Sequence, residues 1–142
     1  MGSRRALLRL IDANANRALE GLRVCEDVLR FHLEHPALWR RLRAHRHATA
    51  AAVKALPLRP VDLLGARQSH RDLGRRARGT RIESLERLLL INLQRAKEAL
   101  RVLEESARLV APRCTRRFQQ LRFRLYDLER DILLRVARLR HP

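Results

Sequence analysis

A chain of 142 residues is long enough to build one domain around a real core, and no apolar run in it approaches the ~20 residues of a membrane-spanning helix. Its 32 lysines and arginines against 15 acids give a formal charge of +17, which suits an anionic partner: nucleic acid, anionic lipid or phosphorylated small molecules. Only Lys54 and Lys97 are lysines, and Phe31, Trp39, Phe118, Phe123 and Tyr126 fall mostly at helical core spacing, so stacking platforms for single-stranded nucleic acid are lacking.

The opening Met1–Leu8 is basic and then apolar, but Arg9 and Asp12 interrupt it too early for a signal peptide, and a cytoplasmic location is expected. Cys25 and Cys114 then read as free, buried thiols rather than a disulfide. Ser3 can cap a first helix running to about Leu33. Its residues Ile11, Ala15, Ala18, Leu22, Cys25 and Leu29 form one apolar stripe at 100° per residue. Pro36 suits the first position of a second helix reaching about Leu56, with Leu38, Trp39, Leu42, Val53 and Leu56 inward. The short connection predicts an antiparallel hairpin over about residues 3–56.

Residues 57–79 read as a long basic loop, with Gly65, Gly74 and Gly79 among Arg67, Arg71, Arg75, Arg76 and Arg78. Loops of that length in compact domains are functional or disordered. Thr80-Arg81-Ile82-Glu83 has capping-box spacing and predicts the start of a third helix ending near Val110. Its stripe is Leu89, Leu93, Ala96, Leu100, Leu103 and Ala107. A fourth helix, from about Thr115 to Leu139, carries Phe118, Leu121, Leu125, Leu128 and Ile132 at core spacing, completing a second hairpin over about residues 80–139. The whole chain is read as a single all-helical domain.

The first and third helices share more than polarity. Asn14-Ala15-Asn16-Arg17-Ala18-Leu19-Glu20-Gly21-Leu22-Arg23-Val24-Cys25-Glu26-Asp27 returns at Asn92 as Asn92-Leu93-Gln94-Arg95-Ala96-Lys97-Glu98-Ala99-Leu100-Arg101-Val102-Leu103-Glu104-Glu105. Trp39, Leu42-Arg43 and His47 are likewise echoed by Phe118, Leu121-Arg122 and Tyr126. This is an internal duplication. The expected fold is an all-α four-helix bundle of two duplicated hairpins with pseudo-two-fold symmetry. A solvated face needs charges, but not Asn, Arg, Glu, Arg and Glu in one order. The matched residues are therefore candidates for a polar site shared by both copies. If the first and third helices face each other, Gly21 lies opposite Ala99, and Asn14, Arg17, Asn92 and Arg95 converge.

Motifs of several other chemistries are missing: no G-x-x-x-x-G-K-[ST], G-x-G-x-x-G, H-E-x-x-H or C-x-x-C occurs. His45 and His47 fall on different helix faces and make a poor metal pair. The repeats also lack the Glu-x-x-His of di-iron bundles.

The repeat resembles a known family. Arg9, Ile11 to Asn14, Asn16, Arg17, Glu20 to Val24, Glu26 and Asp27, answered by Asn92, Arg95 and Glu98 to Glu105, are similar to the all-helical hydroxymethylpyrimidine-phosphate kinase domain. That domain is found alone or fused ahead of some bacterial thiamine-phosphate synthases. Arg67…Asp72-Leu73-Gly74 resembles its Arg…Asp-Val-Gly loop, and Leu121-Arg122-Phe123-Arg124-Leu125-Tyr126 its Arg-Tyr-x-Leu-Tyr run. The resemblance implies phosphorylation of hydroxymethylpyrimidine phosphate to the diphosphate in thiamine biosynthesis, with ATP and Mg²⁺. It also implies a small-molecule phosphate substrate, and a thiamine-phosphate synthase as partner, with the chain freestanding or an excised domain; a homodimer is left open. By residue type, Arg17, Arg95, Glu20 and Glu98 are assigned to catalysis. Asn14, Asn92, Arg23, Arg101, Arg67, Arg71, Asp72 and Gly74 are assigned to substrate. Metal ligands are not assigned, although Glu20, Glu98, Asp27 and Asp72 are the carboxylates at hand. The competing reading is a non-catalytic arginine-rich module that binds nucleic acid or a protein.

Overall fold

A computed structural model describes residues 2–140, and every regular element among them is helical. Helix α1 spans Gly2–Phe31, α2 Pro36–Lys54, α3 Pro60–Ala66, α4 Leu85–Val110 and α5 Thr115–Arg140. Single 3₁₀ turns lie at Ser69–Arg71 and Pro112–Cys114. The four long helices close a ring: α1 packs most extensively on α4, α4 on α5, α5 on α2 and α2 on α1. The stripes read from the sequence fill its centre. Ile11, Ala18, Leu22, Cys25 and Leu29 of α1 are wholly buried, as are Leu89, Leu93, Ala96 and Leu100 of α4. Leu42 of α2 and Phe118, Leu125 and Ile132 of α5 close the core from the other two sides.

Several boundaries differ from expectation. Ser3 lies inside α1 rather than capping it. The turn after α1 is made by Glu34, at φ 50°, a conformation usually left to glycine or asparagine at a helix end. His35 then caps α2, its Nδ1 accepting from the Leu38 N–H at 3.1 Å. The capping box at Thr80–Glu83 is not used. Ser84 caps α4 instead, its hydroxyl accepting from the Arg87 N–H at 3.0 Å. Residues 71–81 are exposed, so no apolar surface rewards an earlier helical turn.

Residues 57–79 are also more ordered than a basic loop. Leu58 and Leu63 pack on the core and Ala66 is buried, so α3 lies along α1 as an amphipathic fragment. Of the two cysteines, Cys25 is buried and Cys114 only half-buried, and both are free. Burial pushes the Cys25 thiol far above its ordinary pKa, its contact being the Leu89 carbonyl at 3.5 Å. Tyr126 is not a core residue: it lies partly exposed beneath the Lys97 ammonium, 4.8 Å from the ring centroid.

Candidate functional site

The seam between α1 and α4 is built on small residues. A β-carbon placed on Gly21 would stand 3.2 Å from the Asn92 backbone oxygen and 3.7 Å from the Ala96 Cβ. Gly21 therefore meets Asn92 and Ala96, not Ala99 as expected. Together with the Cys25–Leu89 contact, this pairing makes α1 and α4 antiparallel, since rising numbers on one meet falling numbers on the other. Asn14 lies seven residues from Gly21, about 10 Å along the helix axis. Asn92 therefore lies at the Gly21 contact while Asn14 is about two turns away along α1, and the two do not converge.

The repeated polar residues make the same local contacts in both copies. The Asn14 carboxamide donates to the Leu10 carbonyl at 2.9 Å, and that of Asn92 to the Leu88 carbonyl at 2.9 Å. Both are buried and turned onto their own helix. Arg23 pairs with Asp27 at 3.3 Å, and Arg101 with Glu105 at 3.3 Å, as exposed i,i+4 bridges. Arg17, Glu20, Arg95 and Glu98 differ from these. All four are exposed, and none has an opposite charge within 4.0 Å among the described residues. The duplication thus displays an unpaired Arg-x-x-Glu on each of the two central helices.

The 57–79 segment spends its motif residues on its own placement. Arg67 forms a two-bond ion pair with Asp12, Nε to Oδ2 and Nη2 to Oδ1, both at 2.7 Å. The carboxylate raises the Arg67 pKa further above its ordinary value. Asp72 Oδ1 accepts from the Gly74 N–H at 2.7 Å, an Asx turn that explains the Asp-x-Gly spacing. Arg71 remains exposed at the end of the 3₁₀ turn.

Arg95 and Glu98 share one cleft, of about 410 Å³, along the outer face of α4, with Glu129 of α5 on its wall. Arg87 and Lys97 complete its charged lining, and Leu90 and Ile91 give it an apolar floor. Lys97 is held by Glu129 at 2.8 Å. Arg87, Lys97 and Glu129 were not among the residues singled out from the sequence. Lys97 was the legible one, standing inside the second repeat as one of two lysines in an arginine-rich chain. Arg17 and Glu20 are outside this cleft, and Arg23 lines a different one between α1 and α2.

Chemically, the α4 cleft offers three cations, one engaged carboxylate and one free carboxylate. Among the described residues no group of three or more His, Cys, Asp or Glu is placed to hold a metal ion. Magnesium carried on nucleotide phosphates needs only one or two protein carboxylates, and Glu98 is the free one here. The donor set therefore fits a magnesium–nucleotide, although it would not fit a metal held by protein alone.

Residues 9–131 match the ThiD2 family, and the chain belongs to it. It is 40% identical over 131 residues to the thiamine-phosphate synthase of Synechocystis sp., covering 90% of this chain and 36% of that protein. It is 33% identical over 138 residues to the thiamine-phosphate synthase of Rhodopirellula baltica, covering 95% of this chain and 36% of that one. The corresponding protein of Nostoc punctiforme is 34% identical over 128 residues, 88% of this chain and 35% of its own length. The chain thus spans about a third of the length of the curated relatives it matches. No solved structure matches it, and no helix among the described residues is long and apolar enough to cross a membrane.

Proposed function

We propose that the chain is a hydroxymethylpyrimidine-phosphate kinase of thiamine biosynthesis, working in the cytoplasm and supplying the diphosphate to a thiamine-phosphate synthase. A phosphate oxygen of the substrate attacks the γ-phosphorus of ATP, the bond from that phosphorus to the β,γ-bridging oxygen breaks, and ADP leaves. At neutral pH the monoester is already largely ionised, its second pKa being about 6, so no protein base has to remove a proton. The protein's work is alignment and charge compensation.

The observation that carries this reading is the cleft on α4, where the unpaired Arg95 and Glu98 of the repeat lie together with Arg87 and Lys97. Guanidinium groups clamp phosphate oxygens in pairs, and Arg95 has no carboxylate to satisfy first. Lys97, already positioned by Glu129, adds a point charge over the transferring group. Magnesium bound to ATP supplies further neutralisation, and Glu98 is the residue that would face it. Arg17 and Glu20 repeat the pattern on α1, and we read the four long helices as one bundle of two duplicated hairpins about a pseudo-two-fold axis near Ala18 and Ala96. A non-catalytic basic module would account for the charge, but not for an unpaired Arg-x-x-Glu recurring in register. Purified protein given hydroxymethylpyrimidine phosphate, ATP and Mg²⁺ should yield ADP and the pyrimidine diphosphate, resolved by ³¹P NMR. Absence of the diphosphate resonance after prolonged incubation removes the kinase reading.

A further inference from the structure

A second cleft, of about 310 Å³, lies on the α1–α2 seam, apart from the one on α4. Arg23 and Arg30 approach it from α1, Arg43 and Arg46 from α2, and Trp39 stands among them. Two carboxylates face these four cations. Glu26, buried at 3% exposure, accepts two hydrogen bonds from Arg46. Asp27 takes Arg23 at 3.3 Å. Arg43 reaches Glu26 only at 4.0 Å, and Arg30 has no carboxylate within that distance among the described residues. Both of these guanidinium groups lie over the Trp39 ring, each 5.7 Å from its centroid.

The duplicated counterpart shows what this seam looks like when its charges are used up. Arg30 corresponds to Arg108, which is held by Glu105 at 2.9 Å. Arg43 corresponds to Arg122, held by Glu104 at 2.8 Å. Trp39 is answered by the wholly buried Phe118, and Arg46 by Leu125. Three cations there meet two anions, and each cation has a partner. On the α1–α2 seam the added Arg46 takes over Glu26, which leaves Arg30 and Arg43 without a close carboxylate, both over the Trp39 ring.

We propose that the α1–α2 cleft binds the diphosphate group of a small phosphorylated molecule, with Arg30 and Arg43 as its principal ligands and Trp39 packed against both. Each guanidinium can take two oxygens of one phosphoryl unit, and two such forks suit a diphosphate better than a single phosphate. The cleft has the size of a small-molecule site.

Trp39 is the one tryptophan of the chain, so its fluorescence reports this cleft alone. Inorganic diphosphate, titrated at constant ionic strength, should change that fluorescence saturably, with inorganic phosphate weaker. Arg30→Gln and Arg43→Gln should each weaken binding by about tenfold, the loss expected for one charge-assisted contact. Arg108→Gln, at the counterpart position, should bind as the parent does. ADP matching diphosphate identifies the free anion as sufficient, and ADP binding tenfold tighter identifies a nucleoside diphosphate as the source. A drift that sodium chloride reproduces, or full affinity in the Arg30→Gln/Arg43→Gln double variant, overturns the proposal. So does a response to single-stranded DNA with none to diphosphate. The readout is binding without turnover, so its outcome is separable from that of the kinase assay.

Discussion

Asn92 turns its backbone carbonyl toward Gly21, and the gap would leave a β-carbon at 3.2 Å from that oxygen. Contact this close is tighter than most side chains allow, and the atom in the way is backbone, which cannot swing aside. Gly21→Leu should therefore force α1 and α4 apart and destabilise the protein by roughly 1–3 kcal/mol, the cost typical of overpacking. Thermal unfolding should show it as a lowered Tm. An unchanged Tm would mean that the crossing yields freely.

Arginine at the repeat positions is expected to matter as a shape as well as a charge. Arg17→Lys and Arg95→Lys keep the net charge at +17 but remove the guanidinium fork. Arg95→Lys should lower kcat by about tenfold for each ~1.4 kcal/mol of lost transition-state contact, with Arg17→Lys affected less because it lies outside the α4 cleft. Arg138→Lys, at the exposed end of α5, is the control and should be silent. Three indistinguishable variants would favour plain phosphate neutralisation of the nucleic-acid kind.

The Asp12–Arg67 pair ties residues 57–79 to α1, and Asp12→Asn removes the charge and one of the two acceptors behind its 2.7 Å hydrogen bonds. The chain beyond it holds Arg71, Arg75, Arg76, Arg78 and Arg81, all exposed. Limited trypsin digestion of the Asp12→Asn variant should cut between residues 67 and 81 severalfold faster than in the parent, while helical circular dichroism stays the same. Equal cleavage rates would show that α3 is held by its apolar face alone.

His45 makes stability depend on pH. Its Nε2–H donates to the Leu121 carbonyl at 2.7 Å, which leaves Nδ1 to accept from the Thr49 hydroxyl at 3.3 Å. Burial lowers its pKa; the Leu121 hydrogen bond partly opposes that, and nearby Arg124 adds to it. The folded state thus prefers the neutral ring. Its contribution is fully present above the ordinary imidazole value of 6.5 and is lost as pH falls from there toward the lowered folded value. Denaturant midpoints between pH 7.5 and 5 should fall less steeply for His45→Gln than for the parent. Parallel slopes would place the acid sensitivity elsewhere.

Helix existence and inward faces were legible in the sequence because periodicity over 20 or more residues is a strong signal. The start of α4 was not. Thr80–Glu83 and Ser84–Arg87 both offer a capping hydroxyl, and only burial further along the chain decides between them. Residues 57–79 misled in the same way, since Leu58, Leu63 and Ala66 are too few to show a period of their own. In the candidate site, the repeat pointed to Arg95 and Glu98, but spacing could not say which matched polar residues turn inward. Asn14 and Asn92 went to their own helices, Arg23 to a second seam, and Arg67 to Asp12. The α1–α2 cluster was not legible because its key fact is a difference between copies, Arg46 against Leu125, which a repeat does not signal.

The most extensive packing in the molecule joins α1 to α4, one helix from each copy of the repeat. Neither the α1–α2 pair nor the α4–α5 pair therefore owns a complete interior. Separated from its mate, the first would wet Ala18, Leu22 and Cys25, and the second Leu89, Leu93 and Ala96. The exposed stretch from Arg71 to Arg81 acts as a tether that raises the local concentration of one half about the other, and adds little structure of its own. Two polypeptides broken within that tether keep every contact of the seam, so the fold is in effect a heterodimer whose subunits happen to share a chain.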